Sequence, residues 1–149
     1  MIRHILRGLG AVFAALLAMG VMTAPASAAA NWQPINPTST WTCRPTVAHA
    51  TYPQIHFQGC VVINSNGHAQ AVLVVNSANA PKAVKIGGWI NSQFGSNVTC
   101  ADSVLNPGFQ RGCFGPTVVV PCGDHLNTVY LTVNGSTSWA FAPNVRQDC

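Results

Sequence analysis

The sequence predicts an all-β fold, a single antiparallel β-sandwich that is stapled by disulfide bonds. First, short runs rich in Val, Ile, Thr and aromatic residues alternate with turn signals built from Gly, Pro and Asn. Second, the chain has six cysteines and no C-x-x-C pair, a pattern typical of a disulfide framework rather than a metal site. Third, no amphipathic stretch beyond residue 28 is long enough for a helix without a Gly or Pro interruption.

The N-terminus carries the features of a secretory signal peptide, which we place at residues 1–28. Arg3 and Arg7 precede an apolar run over residues 9–22, and Ala26-Ser27-Ala28 is a small-residue cleavage motif. The apolar run is shorter than the roughly 20 residues that a membrane-spanning helix needs. We therefore expect a secreted, extracellular protein without membrane association, with an irregular leader at 29–41 and one β-sandwich domain at 42–149.

The strands follow from β-branched and aromatic runs between these turn signals. Predicted strands cover residues 41–47, 55–63, 68–75, 83–90, 117–120, 129–133 and 137–142. Pro45 confines the first to a sheet edge, since proline cannot donate to a ladder. The Asn-Gly pairs at 66–67 and 134–135 predict hairpin turns. Gly87-Gly88 predicts a bulge, while residues 91–112 show only a turn at 106–108.

About seven short strands with frequent turns indicate a sandwich of immunoglobulin-like topology, with a small barrel as the alternative. Trp89 or Phe57 is expected to fill its centre. The six cysteines are expected to form three disulfides, and 15 connectivities are possible. Because neighbouring segments usually lie adjacent in space, a nearest-neighbour pairing is the simplest. It joins Cys43 with Cys60, Cys100 with Cys113, and Cys122 with Cys149.

Low charge excludes several classes of function. Only 7% of the 149 residues are charged, there is no Glu, and the acids are Asp102, Asp124 and Asp148. Three acidic side chains are too few for the paired carboxylates of a glycosidase-type active site. They are also too few for a calcium site built from several carboxylates. The few scattered cations do not form a nucleic-acid footprint. A nearly uncharged surface instead suits docking against another protein, because few ions must be desolvated.

The sequence offers no convincing catalytic or metal-binding constellation. Asp124 and His125 are adjacent, so on a strand they would point to opposite faces, and we interpret them as part of a polar turn. His56 is expected to be half-buried in a strand, and His49 to be a solvated loop residue. With no metal-ligand motif and all thiols expected to be oxidised, we predict a protein that is not an enzyme and takes no metal or cofactor.

The leader is unusual in carrying two tryptophans, since disordered segments rarely contain them. One interpretation is that Trp32 and Trp41 fold back onto the sandwich. The other is that Trp32, Pro34, Ile35 and Trp41 bind a protein partner, for instance by adding a strand to the partner's sheet.

Four fragments carry a resemblance to a known group. They are Trp41-Thr42-Cys43, His56-Phe57-Gln58-Gly59-Cys60, Cys113-Phe114-Gly115-Pro116-Thr117 and Val133-Asn134-Gly135. The chain from Trp32 to Cys149 resembles small secreted proteins of Streptomyces, and among them is similar to the adaptor subunits of umbrella toxin particles. That resemblance implies a non-enzymatic adaptor that bridges larger secreted subunits of an extracellular toxin complex used in competition between bacteria. It also implies that an N-terminal extension, here residues 31–41, contacts a partner subunit.

Two other classes of function stay open at this point. A secreted inhibitor of a hydrolase would present a rigid loop between disulfides, such as residues 102–112. A carbohydrate-binding module would display Trp89, Tyr130 and Trp139 as a flat exposed platform. An extended N-terminal arm with an exposed Trp32 would favour the adaptor.

Overall fold

The structure, a computed structural model, describes residues 28–64 and 66–148. Apart from Ala28, the predicted signal peptide lies outside these residues. The regular structure of the described chain is all strand, so the predicted all-β class is confirmed. Within this part of the chain there is no helix with the length and apolar character to cross a membrane.

Ten strands are present in the described residues. They are β1 (Trp41–Cys43), β2 (Val47–Ala48), β3 (His56–Ile63), β4 (His68–Asn76), β5 (Val84–Ser92), β6 (Val98–Leu105), β7 (Gln110–Phe114), β8 (Val118–Val119), β9 (Gly123–Val133) and β10 (Ser136–Gln147). The single edge strand expected over 41–47 is thus two short strands, and Pro45 lies in the gap between them. The strands β6 and β7 occupy the stretch for which the sequence predicted only a turn.

These strands form two antiparallel sheets that pack face to face. One has the order β1-β3-β4-β7, with β2 also pairing with β3 and β8 with β4. The other has the order β10-β9-β5-β6. The chain crosses between the sheets after β4, after β6 and after β8. The predicted antiparallel sandwich is confirmed, and its immunoglobulin-like topology stays a prediction.

Two of three local signals in the sequence produced the expected geometry. Gly67 adopts a φ of 70° between β3 and β4, which pair from His56↔Asn76 to Ile63↔Ala69. Asn134 and Gly135 have φ values of 46° and 88° and close the β9–β10 hairpin. The predicted Gly87-Gly88 bulge on β5 is wrong: the β5–β6 ladder does shift register here, but the extra residue lies on β6, where Ala101 and Asp102 stand opposite the single residue Gly87.

The core lies between the inner faces of the two sheets. Phe57 and Leu73 of one sheet and Ile86 and Leu131 of the other are all buried there. The prediction that Trp89 could fill the centre of the sandwich is wrong, because Trp89 points outward from β5 and is 40% exposed. It lies between Gly88 and Ile90, both buried, so strand alternation places its side chain on the outer face.

Two disulfides have different structural roles. Cys100–Cys113 joins β6 of one sheet to β7 of the other. Cys43–Cys60 joins β1 and β3, which are neighbours within one sheet and place the two residues directly opposite each other. Both pairings match the nearest-neighbour prediction. Cys122 is also disulfide-bonded, and its predicted partner Cys149 lies outside the described residues.

The leader is folded onto the sandwich at the seam between its two sheets. Ala30 forms a parallel bridge with Cys100 of β6, and Gln33 forms an antiparallel bridge with Gly112 of β7. Trp32, between them, packs against the core and donates a 2.7 Å hydrogen bond from Nε1 to the carbonyl oxygen of Ala101. The leader therefore closes the open side of the sandwich between β6 and β7.

This position predicts that Trp32 contributes to stability. Trp32→Phe keeps most of the apolar contact but removes the hydrogen bond to Ala101, so we expect the free energy of unfolding to fall by about 1 kcal/mol. Trp139→Phe, at an exposed position, is the control and should change it by less than about 0.5 kcal/mol. Urea denaturation measures both values. Equal effects would show that the indole N–H at residue 32 stabilises nothing.

Candidate functional site: an exposed aromatic face

Three large aromatic residues lie in one row across the outer face of the second sheet. In the ladders of β5, β9 and β10, Trp89 is opposite Tyr130, and Tyr130 is opposite Trp139. Because side chains of directly paired residues share a face, all three point outward. Phe141, two residues beyond Trp139 on the same strand, shares that face. We call Trp89, Tyr130, Trp139 and Phe141 the aromatic face.

The rings on this face contact one another in pairs. Trp89 and Tyr130 are stacked, with ring centroids 4.5 Å apart and planes 10° from parallel. That separation is close to the spacing of neighbouring strands, about 4.8 Å, as expected for two residues that lie directly opposite each other in a ladder. Trp139 and Phe141 meet edge to face at 5.2 Å and 81°. In the stacked pair each ring therefore covers one face of its neighbour.

The aromatic face is largely open to solvent. Trp89 is 40% exposed, Trp139 59% and Phe141 55%, while Tyr130 is half-buried between its neighbours. Single exposed apolar residues are ordinary, but a contiguous group is typical of an interaction site. This grouping makes the outer face of the second sheet the strongest candidate site among the described residues.

Charge is confined to the margins of this face. Lys85 Nζ lies 2.7 Å from Asp102 Oδ2 at one end of the sheet. At the other end, Arg146 Nε lies 2.9 Å from Asp148 and 3.9 Å from Asp124. Thr and Asn side chains of β5, β9 and β10 surround the rings. An uncharged aromatic centre with paired ions at its rim resembles the anatomy of protein–protein interfaces.

A groove adjoins the aromatic face at the outer side of β10. It has a volume of about 420 Å³. Its lining comes from Trp139, Ala140 and Phe141 of β10, from Arg44 and Pro45 between β1 and β2, and from Val47 of β2. Trp139 and Phe141 therefore belong both to the aromatic face and to one wall of the groove.

The outer face of the first sheet is covered by the chain itself. Cys60, Val72 and Val74 are buried there although they point away from the core. Ile35 and Trp41 pack on them together with Val62 and Phe114. The two sheets thus differ, since in residues 28–64 and 66–148 the contiguous group of exposed aromatic rings lies on the second sheet.

The four residues predicted to bind a partner have separate positions. Trp32 and Ile35 are half-buried in contacts within the chain, and Trp41 packs edge to face on Phe114 at 5.8 Å. Pro34 is exposed between them. Residues 31–41 are therefore not an extended free arm, and partner binding by these four residues stays a prediction.

The residues weighed as catalytic or metal-binding candidates are engaged in structural contacts. Asp124 and His125 lie on β9 rather than in a turn, and His125 Nε2 is 2.8 Å from the carbonyl oxygen of Pro121. His56 is half-buried on β3, as expected. No group of three or more His, Cys, Asp or Glu side chains in residues 28–64 and 66–148 is arranged to hold a metal ion.

The expectation for His49 is wrong, because its side chain is fully buried. Nδ1 accepts 3.3 Å hydrogen bonds from the backbone amides of Thr51 and Tyr52. Nε2 therefore carries the proton and donates to the carbonyl oxygen of Ser136 at 3.1 Å. Small neighbours in the sequence suggested a solvated loop, whereas the ring ties the segment after β2 to the start of β10.

Residues 102–112, which the inhibitor hypothesis treated as a loop, have a different structure. Residues 102–112 consist mostly of the end of β6 and the start of β7, joined by a turn around Pro107 and Gly108. Buried Ser77 holds this turn, since its hydroxyl lies 2.6 Å from the carbonyl oxygen of Asn106 and its backbone amide donates to Phe109. The segment is fixed to the body of the sandwich.

The sequence identified part of the candidate site. Trp89, Tyr130 and Trp139 were recognised as surface aromatics in one of the alternatives, but Phe141 and the groove were missed. The signal for Phe141 was available, because Trp139 and Phe141 are two residues apart in a predicted strand and so share a face.

Fold and site together define a disulfide-linked β-sandwich with one covered face and one exposed aromatic face. No family model, no curated protein and no solved structure matches the chain. The function must therefore be argued from this surface.

Proposed function

We propose that the protein is a secreted, non-enzymatic binding module that docks another protein on its aromatic face. The observation that carries this proposal is the contiguous exposed row of Trp89, Tyr130, Trp139 and Phe141 in a surface with few charges. Trp and Tyr are the residue types that contribute most to protein–protein binding energy, because they bury a large area at little conformational cost.

Secretion is part of the same proposal. The disulfides Cys43–Cys60 and Cys100–Cys113 suit an oxidising compartment, and the N-terminal residues have the features of a signal peptide. The resemblance of the cysteine-framed fragments supports the finer assignment, an adaptor that bridges larger subunits of an extracellular toxin complex. A bridging role requires two contact surfaces, of which the aromatic face is one.

A carbohydrate ligand is the second candidate, and the same rings bear on it. A sugar ring stacks on an aromatic face that lies parallel to the surface. Trp89 and Tyr130 instead stack on each other, with nearly parallel planes 4.5 Å apart, so each ring occupies one face of its neighbour. Mutual stacking leaves less free ring face on which a sugar could stack, and this favours a protein partner.

The test compares capture of partners from the culture supernatant of the producing organism. The variant is Trp139→Ser/Phe141→Ser, and the matched control is Ile63→Ser/Val119→Ser, which removes two exposed apolar side chains of the first sheet. A protein captured by the unmodified chain is identified by mass spectrometry, purified and titrated against all three chains. We expect the aromatic variant to bind at least about 30-fold more weakly, as hot-spot losses of 2 kcal/mol imply, and the control to bind within about threefold.

Two results would contradict the proposal. One is a chain that elutes as a free monomer from native supernatant, with no protein bound. The other is a partner whose affinity is unchanged in the aromatic variant. Binding of soluble polysaccharides in affinity gels, lost in Trp139→Ser/Phe141→Ser, would replace the protein partner with a carbohydrate.

A further inference from the structure

The outer edge of β10 carries no neighbouring strand. β10 is 12 residues long and, among the described strands, pairs only with β9. An edge strand of this length presents a row of backbone N–H and C=O groups that can pair with another chain. Natural proteins usually cover such an edge or place charged residues on it. A part of the β10 edge that is neither covered nor charged is therefore a candidate site for pairing with another chain.

The hairpin geometry identifies which backbone groups face outward. The two-residue turn at Asn134 and Gly135, both with positive φ, makes Val133 and Ser136 the hydrogen-bonded closing pair of the hairpin. Since hydrogen-bonded and non-hydrogen-bonded pairs alternate along an antiparallel ladder, the amides and carbonyls of Thr137, Trp139 and Phe141 point away from β9.

Both ends of this edge are covered by the chain. At the start, the Ala50 amide donates to Ser138 Oγ at 2.9 Å, beside the His49 contact with Ser136. At the other end, Ala142 lies so close to Gly59 of β3 that no further chain fits between them. The stretch from Trp139 to Phe141 opens into the groove. Its volume of about 420 Å³ falls within the range of about 300–1,000 Å³ that is typical of ligand pockets.

The groove has one charged side chain, that of Arg44. The ion pairs of the described residues use Lys85 and Arg146 as cations, and none of them involves Arg44. The remaining lining comes from Pro45, Val47, Trp139, Ala140 and Phe141. The groove is thus apolar along its length and positively charged at one position.

We propose that this groove binds an extended peptide segment of a partner protein as an added strand on β10. The segment pairs with the outward backbone groups of Trp139 and Phe141, places apolar side chains at alternate positions, and carries an acidic group that reaches Arg44. This inference deepens the proposed function, since it states the conformation and charge of the partner's segment. It rests on the β10 backbone and Arg44 rather than on the ring surfaces.

The experiment uses an array of blocked decapeptides in which apolar residues alternate with Thr, each made with a terminal Glu or a terminal Lys. Binding to the mature chain is measured by fluorescence anisotropy. We expect peptides with Glu to bind at least tenfold more tightly than their Lys counterparts. Arg44→Gln should remove this preference, because it removes the only cation that lines the groove. Failure of every peptide to bind at millimolar concentration, or an unchanged preference in Arg44→Gln, overturns the inference.

A matched pair of variants tests the backbone pairing. Trp139→Ala and Trp139→Pro both remove the indole, but only proline removes the outward N–H, which an edge strand can lose without breaking its ladder. We expect Trp139→Pro to bind the peptides at least about tenfold more weakly than Trp139→Ala. Thermal unfolding of both variants verifies that they fold. Equal peptide affinities in the two folded variants contradict strand addition.

Trp89→Ala separates this inference from the proposed function. Trp89 belongs to the aromatic face but does not line the groove. If the protein docks a partner on the aromatic face, Trp89→Ala weakens that complex, while peptide binding in the groove is unchanged. Loss of peptide binding in Trp89→Ala would overturn the groove assignment and leave the aromatic face in place.

Discussion

Replacing Cys100 and Cys113 together with Ala lowers the free energy of unfolding by about 3–5 kcal/mol, an effect at the upper end for loss of one disulfide. This bond joins β6 to β7 and so links the two sheets directly. Both cysteines are buried in the main core, and the double variant also loses the packing of two sulfur atoms. Chemical denaturation of the purified variant, with the other disulfides intact, measures the loss.

The control is Cys43→Ala/Cys60→Ala, for which we expect a loss of about 2 kcal/mol. The two bonds close loops of similar size, with sequence separations of 17 and 13 residues. A model based only on the entropy of the unfolded chain therefore predicts nearly equal losses. Cys43–Cys60 restrains only the short edge strand β1 against its neighbour β3. Equal losses in the two double variants would show that the link between the sheets adds nothing in the native state.

Gly59→Ala should be nearly as damaging, with a loss of about 3 kcal/mol or more. A Cβ atom on residue 59 would lie 2.6 Å from the Cβ of Ala142, 2.7 Å from its Cα and 2.9 Å from its backbone nitrogen. These contacts are mostly with the backbone of β10, so no side-chain rotation relieves them. Overpacking in a rigid core costs about 1–3 kcal/mol, and a backbone clash lies at the top of that range.

A second-site change tests this explanation of Gly59. Ala142→Gly removes the nearest atom, so the double variant Gly59→Ala/Ala142→Gly should recover part of the loss but not all, because the Cα and nitrogen atoms stay in place. The coupling energy from the double-mutant cycle should favour the double variant by about 1 kcal/mol. Additive effects would mean that the strain at residue 59 has another source than contact with β10.

The fold was predictable where the sequence has strong local signals. The two Asn-Gly turns and the apolar run at Ala71–Val75 predicted their hairpins because positive φ and continuous burial leave few alternatives. The strands β6 and β7 were missed for a physical reason. β6 is interrupted by a register shift at Ala101 and Asp102, and β7 is five residues long with Gly112 at its centre. Long-range pairing, rather than local propensity, makes these segments strands.

In the candidate site, too, local features could be predicted from the sequence and features that depend on long-range pairing could not. Strand alternation predicts that Trp139 and Phe141 share one face of β10, but the row across three strands depends on register, which sequence alone does not provide. The groove could not be predicted from the sequence for a similar reason, because its two walls come from positions about 95 residues apart in the chain. The burial of His49 likewise depends on a contact with Ser136, 87 residues away.

The leader imposes an order of events on folding. Its backbone hydrogen bonds are with Thr99, Ala101 and Gly112, residues that appear about 70–80 positions later. Whether the chain emerges from a ribosome or through a membrane, its N-terminus emerges first and has no binding site until β6 and β7 have come together. The leader can therefore dock only after β6 and β7 have formed. Until residues 35 and 41 have packed in place, Cys60, Val72 and Val74 lack part of their cover, and exposed apolar surface of this kind favours aggregation of a folding chain.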